Sequence, residues 1–91
     1  MLRVEFSKEA NLEYIGIWEY IASDNLFFAN EVLNKIDSSI ETILMFPMIW
    51  KEIENDVRLI VEPIYKYKIV YEIRVDNIYI LSIFKYKNSW K

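Results

Sequence analysis

The stretch Leu2-Arg3-Val4-Glu5-Phe6-Ser7-Lys8-Glu9-Ala10-Asn11-Leu12-Glu13-Tyr14-Ile15-Gly16-Ile17-Trp18-Glu19-Tyr20-Ile21-Ala22 decides how this chain folds. Its first five residues alternate apolar and polar, the period of a strand with one buried face. Ser7 stands where a helix N-cap belongs, with a hydroxyl able to accept an amide of the next turn. From Lys8 the period lengthens. Leu12, Ile15, Trp18 and Ile21, with Tyr14 and Ile17 beside them, make a wide apolar helical stripe, and Glu9, Glu13 and Glu19 are expected to face water. Gly16 costs a helix interior roughly 1 kcal/mol against Ala, and a close helix–helix crossing would explain it. The spacing predicts a strand over 2–6 and a helix over 8–22.

Moving outward, Ser23-Asp24-Asn25 is a break and a second cap. The next helix is expected over 26–45, with Ala29, Val32, Leu33, Ile36, Ile40, Ile43 and Leu44 on one side. Its steps of four and three suit a packed helical hairpin, and Pro47 ends it. The short connection makes the two helices antiparallel neighbours. Lys51 to Asp56 reads as a polar stretch. Then Val57 to Glu62 is a β-branched run closed by Pro63. Tyr65 to Val75 alternates, with Tyr65, Tyr67, Ile69, Tyr71, Ile73 and Val75 on one face. Asp76-Asn77 is a plausible two-residue hairpin turn, because both residues tolerate positive φ. Ile78 to Phe84 follows as another strand. The order predicted is β-α-α-β-β-β in the α+β class: an N-terminal helical hairpin packed on one face of a small antiparallel sheet. One domain is expected over 1–91, comprising the strand, the two helices, a three-strand meander over 57–84 and a basic, aromatic tail over 85–91.

The 91 residues include no Cys, no His and one Gly. That count excludes disulfide scaffolds, Cys-ligated zinc and thiol nucleophiles, together with the usual metal ligand and neutral-pH base. A single Gly cannot build a glycine-rich phosphate loop. Neither metal nor cofactor is expected. Fifteen aromatics among 54% hydrophobic residues are enough for a core in so short a chain. No apolar run approaches the roughly 18 residues that span a bilayer. The charged, alternating start does not resemble a signal peptide. The expectation is a soluble, cytoplasmic protein with no membrane partner and no small-molecule substrate.

Net charge is −3, but it is unevenly spread. Residues 1–62 hold five basic and twelve acidic side chains, a net of −7, and residues 63–91 hold six basic and two acidic, a net of +4. A split of this kind marks either a binding face or a solvated strand surface.

The chain resembles the RelE/ParE superfamily of bacterial type II toxin–antitoxin toxins. The resemblance runs through Phe6-Ser7 with Ala10, Leu12, Ile15, Tyr20 and Ile21, then Ala29, Ile36, Ile40 and Leu44 before Phe46-Pro47. It continues in Val57-Arg58-Leu59, in Tyr67-Lys68-Ile69-Val70-Tyr71-Glu72-Ile73 and in Ile78 to Phe84. It implies a toxin of an addiction or plasmid-stabilisation module that inhibits growth and is neutralised by a cognate antitoxin. RelE-like members cut mRNA on the ribosome, and ParE-like members poison DNA gyrase by protein contact. RNA cleavage needs a base, an acid and cationic stabilisation of the phosphorane. If this chain were a nuclease, the candidates would be Arg58, Lys85, Tyr86 and Lys87. Where many relatives carry His or Asp and then Arg, this chain has Lys85 and Lys87, and Lys lacks the bidentate fork of Arg. The stretch 51–56 is acidic, and the sequence pI is near 4.9. A ribosome-bound mRNA cutter would depend on phosphate contacts. These departures favour the ParE-like branch, a toxin that is not an enzyme and whose target is DNA gyrase. The alternatives are the ribosome and mRNA, or a degenerate, non-toxic member that only binds its partner.

The candidate contact residues for target or antitoxin are therefore Arg58, Phe27, Phe28, Lys85, Tyr86, Lys87 and Trp90. Arg58 either holds an acidic group or phosphate, or makes a sheet-surface ion pair with Glu72 or Glu62. Tyr65, Tyr67 and Tyr71 are either a stacking platform or the half-buried face of a strand. Tyr86 and Trp90 either tuck into the core or anchor a partner. Leu26, Phe27 and Phe28 together exceed what one helix face can bury, so at least one is expected at the surface. Antitoxins of this group wrap their toxins with a helix and an extended segment.

Overall fold

A computed structural model describes residues 2–87 and 90. The elements are β1 (Arg3–Phe6), α1 (Lys8–Ala22), α2 (Leu26–Met45), β2 (Lys51–Glu54), β3 (Val57–Val61), β4 (Lys68–Ile73) and β5 (Asn77–Phe84). Both helices start where their caps predict. The Ser7 hydroxyl accepts the Ala10 N–H at 2.9 Å, and the Asn25 side chain accepts the Phe28 N–H at 3.0 Å. Among the described residues no helix is long and apolar enough to cross a membrane. Of the expected tail, Lys85 to Lys87 and Trp90 are described; Asn88, Ser89 and Lys91, like Met1, lie outside the described residues.

The α+β arrangement of a helical hairpin on a sheet is as expected, with two differences in the sheet. Its order is β1-β5-β4-β3-β2, and β1 runs parallel to β5 while the other neighbours are antiparallel. The sheet is therefore mixed. β1 and β5 are joined through the whole chain, so no hairpin forces them antiparallel. The second difference is β2, in the stretch expected to be a polar loop. An edge strand needs no alternating buried face, and charges at a sheet edge discourage further pairing. The tight turn from β2 into β3 places Asp56 at φ 62°, a conformation that Asp tolerates.

Two turns also differ from the sequence pattern. β4 starts at Lys68 instead of Tyr65. The buried Glu62 carboxylate accepts the N–H groups of Ile64 and Tyr65 at 2.6 and 2.7 Å, and Lys66 turns through φ 69°. These contacts curl residues 62–67 before the strand can begin. The β4–β5 hairpin turns at residues 75–76, closed by Arg74 N–H to Asn77 O at 2.9 Å, one residue earlier than expected. Neither turn residue has positive φ.

The main core lies between the helices and one sheet face. Val32, Ile36, Ile40 and Ile43 of α2 meet Ile60, Ile69, Tyr71, Ile78, Ile80 and Ile83 of the sheet. α1 faces this core with Ala10, Tyr14, Ile17 and Ile21. The expected stripe is thus rotated: Leu12 is 61% exposed and Ile15 is exposed as well. Gly16 is also not at a crossing, because a Cβ there would meet nothing within 4 Å. The other sheet face is apolar too. Val57, Val70 and Phe84 form a second cluster with Ile53, Leu59, Leu81 and Trp90 against it. One covered face was expected; alternate residues of β3 and β4 are in fact apolar on both sides.

Glu13, expected to face water, sets the rotation of α1. Its carboxylate accepts the Ser82 hydroxyl at 2.9 Å and the Ile83 N–H at 2.9 Å. Lys87 Nζ lies 3.1 Å from its second oxygen. Ser7 acts alongside it: its N–H reaches Ile80 O at 2.8 Å and its hydroxyl donates to Leu81 O at 3.0 Å. Ser82 is fully buried, so removing the carboxylate strands its hydroxyl. Glu13→Ala is expected to cost about 2 kcal/mol, a fall in melting temperature of roughly 8–16 °C. Glu19→Ala, at an exposed position, should stay within about 0.5 kcal/mol. Thermal unfolding followed by circular dichroism compares the two.

Candidate partner-binding surface

The candidate residues fall into separate places. Phe28, Lys85 and Tyr86 come together in a groove between the C-terminal half of α1, the start of α2 and the end of β5. Gly16, Ile17, Tyr20, Ile21 and Tyr67 complete its lining. Here the open side of Gly16 has a use, since a side chain there would enter the groove. Tyr20 and Tyr86 stand 81% and 86% exposed, and Phe28 meets Tyr65 edge-on with ring centroids 5.3 Å apart. Lys85 Nζ lies 5.4 Å from the Tyr67 ring centroid and 5.5 Å from that of Tyr86, a cation held between two aromatic rings. Burial raises the Tyr67 phenol above its ordinary range, reinforced by Tyr86 and Glu62. It therefore stays a neutral donor at physiological pH.

Lys87 and Trp90 belong to a second groove on the opposite sheet face, with Ile53, Leu59, Lys68, Phe84 and Tyr86. Trp90 is half-buried against the Val57–Val70–Phe84 cluster, the tucked alternative of the two open for it. Lys87, besides its ion pair with Glu13, sits 5.0 Å from the Phe84 ring centroid. Tyr86 lines both grooves and joins them around the end of β5. Phe27 is 89% exposed and lines neither, so Leu26, Phe27 and Phe28 are all at the surface.

Arg58 stands apart from these residues. Its register partner is Tyr71, and its Nη1 donates to Met48 O at 2.9 Å and to Trp50 O at 2.8 Å. The Tyr71 hydroxyl donates to Pro47 O at 2.7 Å. Together they hold residues 47–50, where Met48 and Ile49 are exposed. Neither expected ion pair of Arg58 forms: Glu62 is engaged by two backbone amides, and Glu72 is 2.6 Å from Arg74 Nε. The tyrosines also divide. Tyr71 is a buried core residue, and Tyr65 and Tyr67 pack against the core edge; they do not form one stacking platform. Gly16, Ile17 and Tyr20 as groove wall escaped the sequence reading. The only sign was a glycine in mid-helix four residues before an aromatic, which share a face.

With this geometry known, the family can be placed. The family model for the ParE toxin of type II toxin–antitoxin systems, parDE, matches residues 4–90. The chain belongs to the ParE toxin family. A solved structure, the chromosomal ParDE TA system from P. aeruginosa, resembles this ParE-family chain with a TM-score of 0.79 and 13% sequence identity. The match covers 96% of this chain and 98% of that one, and at this identity it speaks for the fold alone. No curated protein matches the sequence. Within a ParE-family fold, then, Arg58 is engaged by the carbonyls of Met48 and Trp50, and the aromatic groove is open.

Two measurements check this division. Gly16→Ala should stabilise the fold by about 1 kcal/mol, because a helical glycine in open space is replaced by the best helix former. Chemical denaturation reads this directly. Burial also raises the Tyr71 phenol from its ordinary 10.0 to about 12, against the pull of the Arg58 charge. Its folded value lies above the unfolded one, so its contribution is complete below about pH 10 and is lost as pH rises through about 12. The urea midpoint should hold to about pH 10 and then fall, and Tyr71→Phe should flatten that fall.

Proposed function

We propose that this chain is the toxin of a type II toxin–antitoxin module, neutralised by a cognate antitoxin protein, and that it acts on DNA gyrase by protein contact. It works as a single toxin domain in the cytoplasm. Family membership carries the toxin class and implies the antitoxin. The observation that carries the mode of action is the dispersal of the cations. Arg58 lies on the helix side of the sheet with its guanidinium on two carbonyls. Lys87 is paired with Glu13, and Lys85 is held between two tyrosine rings. Ribonuclease chemistry would need such groups to converge on one phosphate. The acidic chain, at net −3, also opposes a polyanionic substrate.

An apolar, aromatic-walled groove is suited instead to a partner segment. Phe28, Tyr20 and Tyr86 supply large, rigid contact area, the kind of side chain that anchors protein interfaces. The antitoxin covers this groove in the resting complex. Its release exposes the rings together with Lys85, and the same end of β5 becomes available to the target. Phe28→Ala with Tyr86→Ala removes two anchors of this surface. The expected loss of antitoxin affinity is on the order of 100-fold or more, read by isothermal titration.

The target is tested with purified chain and DNA gyrase. Inhibited supercoiling or accumulated cleaved DNA–gyrase complexes is the expected result. No effect at micromolar excess, with codon-linked 5′ ends appearing in cellular mRNA, would return the chain to the mRNA-cutting branch.

A further inference from the structure

The two outer strands of an open sheet leave backbone groups without sheet partners. β1 is one of them, with β5 on its inner side and, among the described residues, no strand on its outer side. Its parallel register runs from Arg3 beside Asn77 to Phe6 beside Ile80, and the Ser7 N–H reaches Ile80 O at 2.8 Å. Backbone groups alternate in direction along a strand. Arg3, Glu5 and Ser7 therefore turn theirs toward β5, and Leu2, Val4 and Phe6 turn theirs outward. The side chains alternate in the other sense. Leu2, Val4 and Phe6 lean on the core beneath the helices, and Arg3 and Glu5 stand exposed on the opposite face.

This strand is complementary to itself read backwards. About a two-fold axis through Val4, antiparallel pairing sets Val4 against Val4 of a second copy and Leu2 against its Phe6. All three residues have outward backbone groups, so the hydrogen-bond phase is correct. The same register sets Arg3 against Glu5 of the second copy, and Glu5 against its Arg3, on one face and at the pair positions where side chains come closest. Glu5 has an oxygen to offer, since its other oxygen takes the Asn77 side-chain amide at 3.3 Å. The neighbouring registers are penalised. A slip of one residue opposes inward to outward backbone groups, and a slip of two opposes Arg3 to Arg3 or Glu5 to Glu5.

We propose that two copies of this chain associate through β1, edge to edge and antiparallel, to make one continuous sheet. The axis is perpendicular to the sheet, so both helical layers lie on the same side and the interface is isologous. Leu2 of each copy, on its own core margin, then stands beside the other's Phe6, at the rim of the groove that Phe6, Tyr14 and Ile40 line together with Asn11, Asp37 and Glu41. This surface is separate from the aromatic groove around Phe28 and Tyr86, and the inference does not depend on the proposed target.

Sedimentation equilibrium of the purified full chain at tens of micromolar should give twice the 11.1 kDa monomer mass. Amide exchange should show the Val4 and Phe6 N–H groups protected at high concentration and exposed on dilution. Arg3→Glu alone, or Glu5→Arg alone, should raise the dimer dissociation constant roughly tenfold, and the double exchange should restore it. Both side chains are exposed, so the fold tolerates all three variants. A monomer at every concentration overturns the proposal. So does a dimer indifferent to the single reversals, or one that the double exchange leaves weak. Protection of Val4 and Phe6 that requires a different protein, with this chain monomeric alone, assigns the edge to that protein and overturns it too.

Discussion

Beyond Phe6 no strand of the described residues lies beside the outer edge of β5, and the polar groups of that edge must still be satisfied. Ser7 and Glu13 do this in place of a strand. Ser7 takes Ile80 O and Leu81 O, and Glu13 takes the Ile83 N–H and the Ser82 hydroxyl. One helix cap and one carboxylate thus extend the pairing that β1 begins. The contact fixes the rotation of α1 as well as its position. With Glu13 turned to the sheet edge, Ala10, Tyr14, Ile17 and Ile21 face the core, and Leu12 is carried to the far side. Gly16 and Tyr20 then fall at the margin, where they wall the aromatic groove.

The sheet is buried on two sides for a related reason. Ile69, Val70 and Tyr71 are consecutive and fully buried, which a strand covered on one face does not permit. The helices cover one face, and Trp90 with Phe84 covers part of the other. A register irregularity between Val70 and Tyr71 assists, since Tyr71 pairs with Ile80 and Val70 with Ser82, leaving Leu81 between them. Such a bulge re-aims the residues beyond it. Ile83 then joins the helix-side core, and Phe84 joins the cluster beneath.

Electrostatics separates the structural charges from those near the candidate surface. Arg58, Glu62 and Glu13 satisfy backbone groups, and Lys87 answers Glu13. These are charges that hold loops and edges, where a hydrogen bond to an ion is stronger than one between neutral groups. What faces outward from the end of β5 is mainly aromatic and apolar, with Lys85 among the rings. A surface of that composition suits a protein partner better than a phosphate backbone.

The sequence by itself determined the element order apart from the strand over 51–54, both helix caps, the antiparallel meander over 57–84 and the exposure of at least one of Leu26, Phe27 and Phe28. These follow from local rules: a period, a capping oxygen, an excess of apolar residues over one helix face. It also carried the family resemblance, because that rests on apolar residues at set intervals along nearly the whole chain. Only the tertiary structure decided which way α1 faces, since stripes 10-14-17-21 and 12-15-18-21 are both apolar at helical spacings of three or four and are told apart by what they meet. It decided that β1 lies parallel to β5 and that the charged residues 51–54 form an edge strand, because pairing joins residues distant in sequence. It sent Arg58 to the carbonyls of residues 48 and 50 and brought Phe28 to Tyr86. No local pattern encodes such a meeting: the partners of a long side chain are set by the loops that the fold places within its reach.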